Sequence, residues 1–351
     1  MRSWGDLPGD DLKRDRAAAE AELEAAGIDL DPIPPGGHRD GDANGLPEHA
    51  HPHTHSAPGE PPIIGIIGAG AVGTALGVAL SRAGWPIHAV ASRDATRRER
   101  FRSLVEVRRA FVDPEPLVEE VELIILAVPD DVVGRLASTL RMYGGQAMIH
   151  TSGALGAQVL APAMAAGTQV GSFHPLVAFA DTERAVAALR GATVAIEADD
   201  QLAAMLAAMA EAMGATPVRL APGAKAAYHA AAVLAAGGFV ALLDAIVELG
   251  RVAGLDEAGS LAIYGPLIEG TLGNARALGV AAALTGPITR GDLGTLRAHL
   301  DALRAHAPRA LDLYVAAAYR EVALAEERGI LASEAAQSMR STLRDALARA
   351  H

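Results

Sequence analysis

The chain has 351 residues, a net charge of −12 and 50% hydrophobic residues, enough for about two domains around a large core. The acidic balance, without a basic patch interleaved with aromatics, argues against nucleic-acid binding, and the lack of cysteine excludes disulfides and thiol chemistry. No apolar run approaches the ~18 residues of a membrane span, so the expectation is a cytoplasmic protein with no membrane partner.

Residues 1–62 read as a flexible leader. A charged, Ala-rich helix is expected over about Asp11 to Ala26, stopped by Gly27, and the Pro/Gly/His/Asp stretch that follows to Pro62 cannot bury a core. His49, His51, His53 and His55 alternate there. Alternation in a flexible tract lacks the ligand spacing of a structural site, so no metal is expected.

From Ile63 the character changes. IIGIIGAGAVGTALGVALSRAG (63–84) is an apolar strand, then Gly68, Gly70 and Gly73 in G-x-G-x-x-G spacing, then an alanine-rich helix. The first glycine permits the tight turn, the second lets the backbone approach a pyrophosphate, and the third lets helix and strand pack closely. With Ala71 and Val72, these residues form the expected cofactor-binding turn at a helix N-terminus. The next strand, PIHAVASRD, ends in Ser92 and Arg93, where NAD-binding units place an acid for the ribose hydroxyls. A hydroxyl and a guanidinium suit a 2′-phosphate, so NADP(H) is the expected cofactor. Asp94 reads as the N-cap of the following helix, and Arg97, Arg98, Arg100 and Arg102 as its solvated face.

Strands are expected at 63–67, 86–91, 122–128, 146–150, 169–173, 192–197 and 215–220, most of them separated by helices. That alternation predicts an α/β fold, an N-terminal Rossmann doubly wound, mainly parallel sheet over 63–221. Strand signals stop after Leu220, and 222–351 reads as an all-α C-terminal domain for substrate and dimerisation. It opens with a long helix from about Pro222 to Ala253 whose Ala and Gly residues allow close packing, which predicts a homodimer.

The remaining candidates follow strand ends, where such sheets bind ligands. Ala127, Val128 and Pro129 would lie along the nucleotide. HTSGALG places Ser152 and Gly153 to hold a substrate carboxylate or the nicotinamide amide, while His150 and His174, the latter in GSFHPL, are either strand-end histidines or catalytic groups. Of 30 basic residues only Lys13 and Lys225 are lysines, and only Asn44 and Asn274 are asparagines. Where Arg serves almost everywhere, a lysine in the folded body points to proton transfer, which a guanidinium cannot perform. Lys225 and His229, four apart on one helix face, could bracket a substrate oxygen, with Lys225 stabilising and protonating it. Tyr228 reads as packing. Arg290 and Asp292 either bind a carboxylate or form a structural pair capping a helix.

The fingerprint, AVPDD, HTSG, GSFHPL, KAAYHAAAV and TGPITRGD together resemble the bacterial family of Rossmann-like proteins with a C-terminal domain of unknown function. That family belongs to the 6-phosphogluconate dehydrogenase-like superfamily, with ketopantoate reductase, pyrroline-5-carboxylate reductase and the β-hydroxyacid dehydrogenases. The resemblance implies an NADPH-dependent oxidoreductase of a small 2-keto acid, ketopantoate reductase-like, with Lys225 at the position of the superfamily's catalytic Lys. The Asn those relatives carry four residues later is replaced here by His229, so its role passes to His229 or Asn274. GSFHPL also resembles the glycine-histidine-proline turn of prephenate dehydrogenases, which implicates His174. An imine reductase, a prephenate-type dehydrogenase and a non-catalytic NADP-binding regulator are the alternatives.

Overall fold

Short β-branched runs bounded by turn residues and separated by helices pair side by side, because only a sheet covered on both faces buries them completely. The computed structural model describes residues 60–179, 181–221 and 223–348, which fall within one unit of the chain, His53–His351. The expected leader helix and the histidine tract lie outside the described residues.

Eight strands form one sheet: β1 (Ile64–Ile67), β2 (Ile87–Ala91), β3 (Arg109–Phe111), β4 (Leu123–Leu126), β5 (Ala147–His150), β6 (Gln169–Pro175), β7 (Thr193–Glu197) and β8 (Thr216–Arg219). Their order is β3-β2-β1-β4-β5-β6-β7-β8. All neighbours are parallel except β6 and β7. Alternate residues feed two cores: Ile64, Ile66, Leu123 and Ile125 face one layer, Ile67, Ile124 and Leu126 the other. The layers are built by α1 (Ala71–Arg82), α2 (Ala95–Leu104), α3 (Asp130–Thr139), α4 (Thr182–Leu189) and α5 (Asp200–Ala212). The strand order reverses between β1 and β4, and the crevice beyond their carboxyl ends is where such sheets take ligands. The seven expected strands are present; β3 is an addition, three residues long and too polar at Arg109 to register as apolar.

After β8 the described chain is helical. Residues Lys225–Val252 make one long helix, α6, broken by a π turn at Leu234–Gly238, where an Ala-Ala-Gly-Gly run holds helical geometry weakly. It is followed by α7 (Glu257–Leu278), α8 (Leu293–His306), α9 (Leu311–Glu327) and α10 (Ser333–Ala348). The last three form a bundle whose core repeats at helical spacing, as in Leu296, Leu300 and Leu303 against Val315, Val322, Met339 and Leu343.

The α6–α7 pair is different. Only Lys225, Val247 and Gly250 of α6 and Ser260 of α7 are buried, while Leu234 is 72% and Leu267 66% exposed. This corrects the reading of apolar runs. Residues 226–243 contain no charged side chain, and α6 is long and apolar enough to cross a membrane by length and composition. Its many Ala and Gly residues, interrupted early by the polar Tyr228 and His229, make the run look less apolar than it is.

Candidate active site

The fingerprint turn has the geometry its glycines predict. Gly68 has φ +110°, and a Cβ there would stand 2.3 Å from the Ala127 carbonyl oxygen; at Gly73 a Cβ would stand 2.0 Å from the Gly68 carbonyl oxygen. Gly70 faces open space and is the N-cap of α1, whose first turn no side chain caps, so its N–H groups are available to an anion. A cleft of about 830 Å³ opens there. Gly68, Gly70, Ala71, Val72, Ser92, Arg93, Ala127, Val128 and Pro129 all line it, whereas Gly73 lies behind the turn as its packing residue. These groups fit a dinucleotide phosphate: donors without partners, a glycine surface a side chain would obstruct, and a guanidinium beside a hydroxyl.

Asp94 caps α2, its carboxylate accepting the Arg97 N–H at 3.0 Å, and Arg98 donates to the Ser92 carbonyl, fixing the strand-end loop. Arg97 is 66% exposed, as the solvated-face reading expects, and from there it also lines this cleft and a second cavity shared with Gly70, Ala71 and Arg100; Arg98, half-buried on the Ser92 carbonyl, is the one that departs from that reading. Arg135, on α3, and Thr139 line the cleft too; one helix turn apart, they are visible as neighbours only once α3 is placed along it.

Thr151 carries the cleft to the end of β5, and two residues on the chain meets a cluster of titratable side chains. A Cβ at Gly153 would lie 2.3 Å from His229 Nδ1 and 2.7 Å from His174 Nε2, so both rings rest on its bare backbone. His174 stands edge-on to His229 and to Tyr228, with ring centroids 5.7 Å and 5.8 Å apart. Tyr228 therefore belongs to the cluster rather than to packing alone. At i+3 from Lys225 it shares that residue's helix face, the signal that identifies it. Nδ1 of His150, His174 and His229 and the Tyr228 hydroxyl are buried without hydrogen-bond partners. Ser152 Oγ accepts from the Ala154 and Leu155 N–H groups at 3.2 Å and 3.0 Å, which leaves its own proton to donate.

Lys225 Nζ donates to Ser172 Oγ at 2.6 Å and lies 3.9 Å from Glu197 Oε2. Burial lowers its affinity for a proton, and the Glu197 carboxylate partly restores it. Burial, then the Lys225 charge, holds His174 at about 4; burial holds His150 at about 4 as well, so both rings are neutral near pH 7. Burial also pushes the Tyr228 hydroxyl up, keeping it protonated. The arrangement can polarise and protonate one oxygen or nitrogen atom. Among the described residues no three His, Cys, Asp or Glu side chains are grouped to hold a metal ion.

Glu197 and Ser172 are the groups sequence reading missed, because nothing in either strand announces that β6 and β7 run antiparallel and set the two opposite each other. Asn274 is exposed on α7, and Arg290 is exposed in a short turn beside α9. Neither hydrogen-bonds to the cluster. Of the two readings of TRGD, Asp292 takes the cap: it accepts the Thr295 N–H at 3.0 Å and the Thr295 hydroxyl at 2.6 Å, which hold its carboxyl below the usual range.

Residues 52–175 match the Rossmann-like domain family, and residues 192–323 match the domain of unknown function DUF2520. No curated protein matches the chain. Among solved structures, a "putative NADP oxidoreductase" of Bacteroides fragilis is 25% identical with a TM-score of 0.63, over 74% of this chain and 98% of that one. 1-Pyrroline-5-carboxylate reductase of Streptococcus pyogenes is 15% identical with a TM-score of 0.51, over 81% of this chain and 98% of that one. A reductive aminase of Aspergillus terreus, solved with NADPH and ethyl-5-oxohexanoate, is 15% identical with a TM-score of 0.50, over 83% and 95%. Two family models thus match in succession, Rossmann-like and then DUF2520, on a chain with the fold of the pyrroline-5-carboxylate reductases and reductive aminases.

Proposed function

We propose that the protein is an NADPH-dependent oxidoreductase that reduces the C=O of a small 2-keto acid at the cluster around Lys225. The observation that carries this reading is continuity. The cleft with the fingerprint is lined by Thr151, and Gly153, two residues on, packs against His174 and His229, of which His174 feels the charge of the buried Lys225. The chemistry the cofactor supplies when bound is hydride donation to the carbonyl carbon. The chain's part is at the oxygen: Lys225, as an ammonium, stabilises the developing negative charge and delivers a proton, while His229 and His174 orient the same atom. Ser152 and the Gly153 backbone hold the substrate's other end. NADPH is preferred over NADH because Ser92 and Arg93 stand where an acid would select NAD.

A second reading, reduction of an uncharged ketone or of an imine, draws support from the charge of the site. Lys225 already faces Glu197, and Arg290, the expected carboxylate binder, does not reach the cluster. A panel of 2-keto acids, ketones and imines with NADPH tests both. Turnover confined to keto acids supports the first and turnover of neutral compounds the second. NADPH binding without oxidation by any panel member leaves a non-catalytic NADP-binding protein.

We further infer that a second copy of the chain covers the exposed α6–α7 face. Both ends of α6 are held in protein: Lys225 is buried against Ser172, and Asp244 and Glu248 lie 3.8 Å and 3.7 Å from Arg309. Tied to the rest of the chain near both ends, the helix presents a fixed apolar face that the same face of a second copy can cover.

A further inference from the structure

Lys225 is the first residue of α6 and only 4% exposed, so its charge stands in a poor place: out of water and at the positive end of a helix. Two groups compensate. Nζ donates to Ser172 Oγ at 2.6 Å, and Ser172 Oγ donates to Glu197 Oε2 at 3.5 Å. The polarity of this line is fixed by its members, since an ammonium only donates, a hydroxyl does both and a carboxylate only accepts. The antiparallel pairing of β6 with β7 builds it, because Ser172 and Glu197 are directly opposed and share one face of the sheet. Ser172 is fully buried and the Glu197 side chain is 15% exposed, so the line runs from the reacting side of Lys225 toward solvent.

Resting on the reading of Lys225 as proton donor, we propose that Glu197 is its positioning residue, holding and reloading the buried amine through Ser172. Once Lys225 has given its proton to the substrate, the Nζ lone pair takes the Ser172 hydroxyl proton. For that, the Glu197 carboxylate first takes a proton from solvent and passes it to the Ser172 oxygen as the Ser172 hydroxyl proton moves to Nζ. No electrons change hands, and ammonium, hydroxyl and carboxylate are restored at the cost of one solvent proton. The other titratable groups around Lys225 are His150 on β5, His174 on β6, and Tyr228 and His229 on α6, with Asp130 on α3 acting on the first two. His150 and His174 are neutral well above pH 4, which leaves Glu197 as the carboxylate that acts on Lys225.

The chain has only two lysines, so lysine labelled with ¹³C at Cε gives two signals, and Lys225→Met assigns them. The full-length protein is titrated with each signal followed, and NADPH affinity reports that each variant is folded. Glu197→Gln and Ser172→Ala are expected to move the Lys225 titration to lower pH and leave Lys13 unmoved, with Glu197→Asp restoring part of the difference. With a substrate from the panel, the alkaline limb of kcat should move the same way in Glu197→Gln, because the donor loses its proton sooner. A Lys225 signal that titrates at the wild-type pH in both Glu197→Gln and Ser172→Ala overturns the proposal. Failure of the underlying donor reading shows separately, as wild-type turnover in Lys225→Met.

Discussion

Adding a single methyl group at Gly153 probes whether the histidine cluster and the cofactor cleft are separable parts. In Gly153→Ala the new Cβ would stand 2.3 Å from His229 Nδ1, 2.6 Å from His229 Cε1 and 2.7 Å from His174 Nε2, where ordinary contact begins at 3.4 Å. His229 must therefore retreat by about 1.1 Å and His174 by about 0.7 Å, as simple differences of those distances. Overpacking of this kind costs about 1–3 kcal/mol of stability. Its functional cost is larger, because a misplacement of about 1 Å at a reacting group lowers turnover by roughly 10²-fold. The fingerprint and Ser92–Arg93 lie on other strand ends and are untouched. The assay is paired: NADPH affinity by cofactor fluorescence, expected at the wild-type value, and kcat with the best panel substrate, expected to fall about 10²-fold. Wild-type kcat in Gly153→Ala would refute the placement of the two rings at the reacting atom, and equal losses of affinity and kcat would refute the separation of cleft and cluster.

The other predictions are shorter. Arg93→Ala should weaken NADPH by about 1.5–3 kcal/mol, the range for a hydrogen bond to a charged group, and leave NADH unchanged; equal or tighter NADH binding by the wild type contradicts the NADP assignment. Burial holds His150 and His174 at about 4 against an ordinary 6.5, so between those values the unfolded chain binds more protons than the folded one. Stability is then fully present above about pH 6.5 and declines toward pH 4, by on the order of 3 kcal/mol for the fully buried His150 alone. Denaturant melts across that range check it, and His150→Gln should flatten the slope. Light scattering at micromolar concentration should give twice the chain mass; a monomer, or association with lipid vesicles in its place, contradicts the assignment of the α6–α7 face to a second copy.

What the sequence discloses and what it conceals divide along one line. Local signals read directly: the glycines of Ile64 to Arg82 announce the strand-turn-helix, and Asp94 caps the helix that follows it, while Asp292 is one of two open readings until the structure shows its cap. Pairwise geometry across the fold does not. Glu197 is an ordinary strand-end acid until β7 turns antiparallel to β6 and sets it against Ser172. Arg97 is as exposed as its neighbours read, and only the placement of the helix beside the fingerprint brings it to the cleft, while Asn274, singled out by its rarity, stands exposed on α7. Rarity marks a residue without locating it, whereas Lys225 was marked by rarity and by helix position together.

The central claim is that Lys225 carries the chemistry, and Lys225→Met tests it most directly, since methionine keeps the stem and removes the donor. Turnover of the best panel substrate with saturating NADPH should fall about 10²-fold or more while NADPH affinity is retained, and Lys225→Arg should not restore it because a guanidinium releases no proton near neutral pH. Near wild-type turnover by Lys225→Met would contradict the account and shift the donor role to His229 or His174.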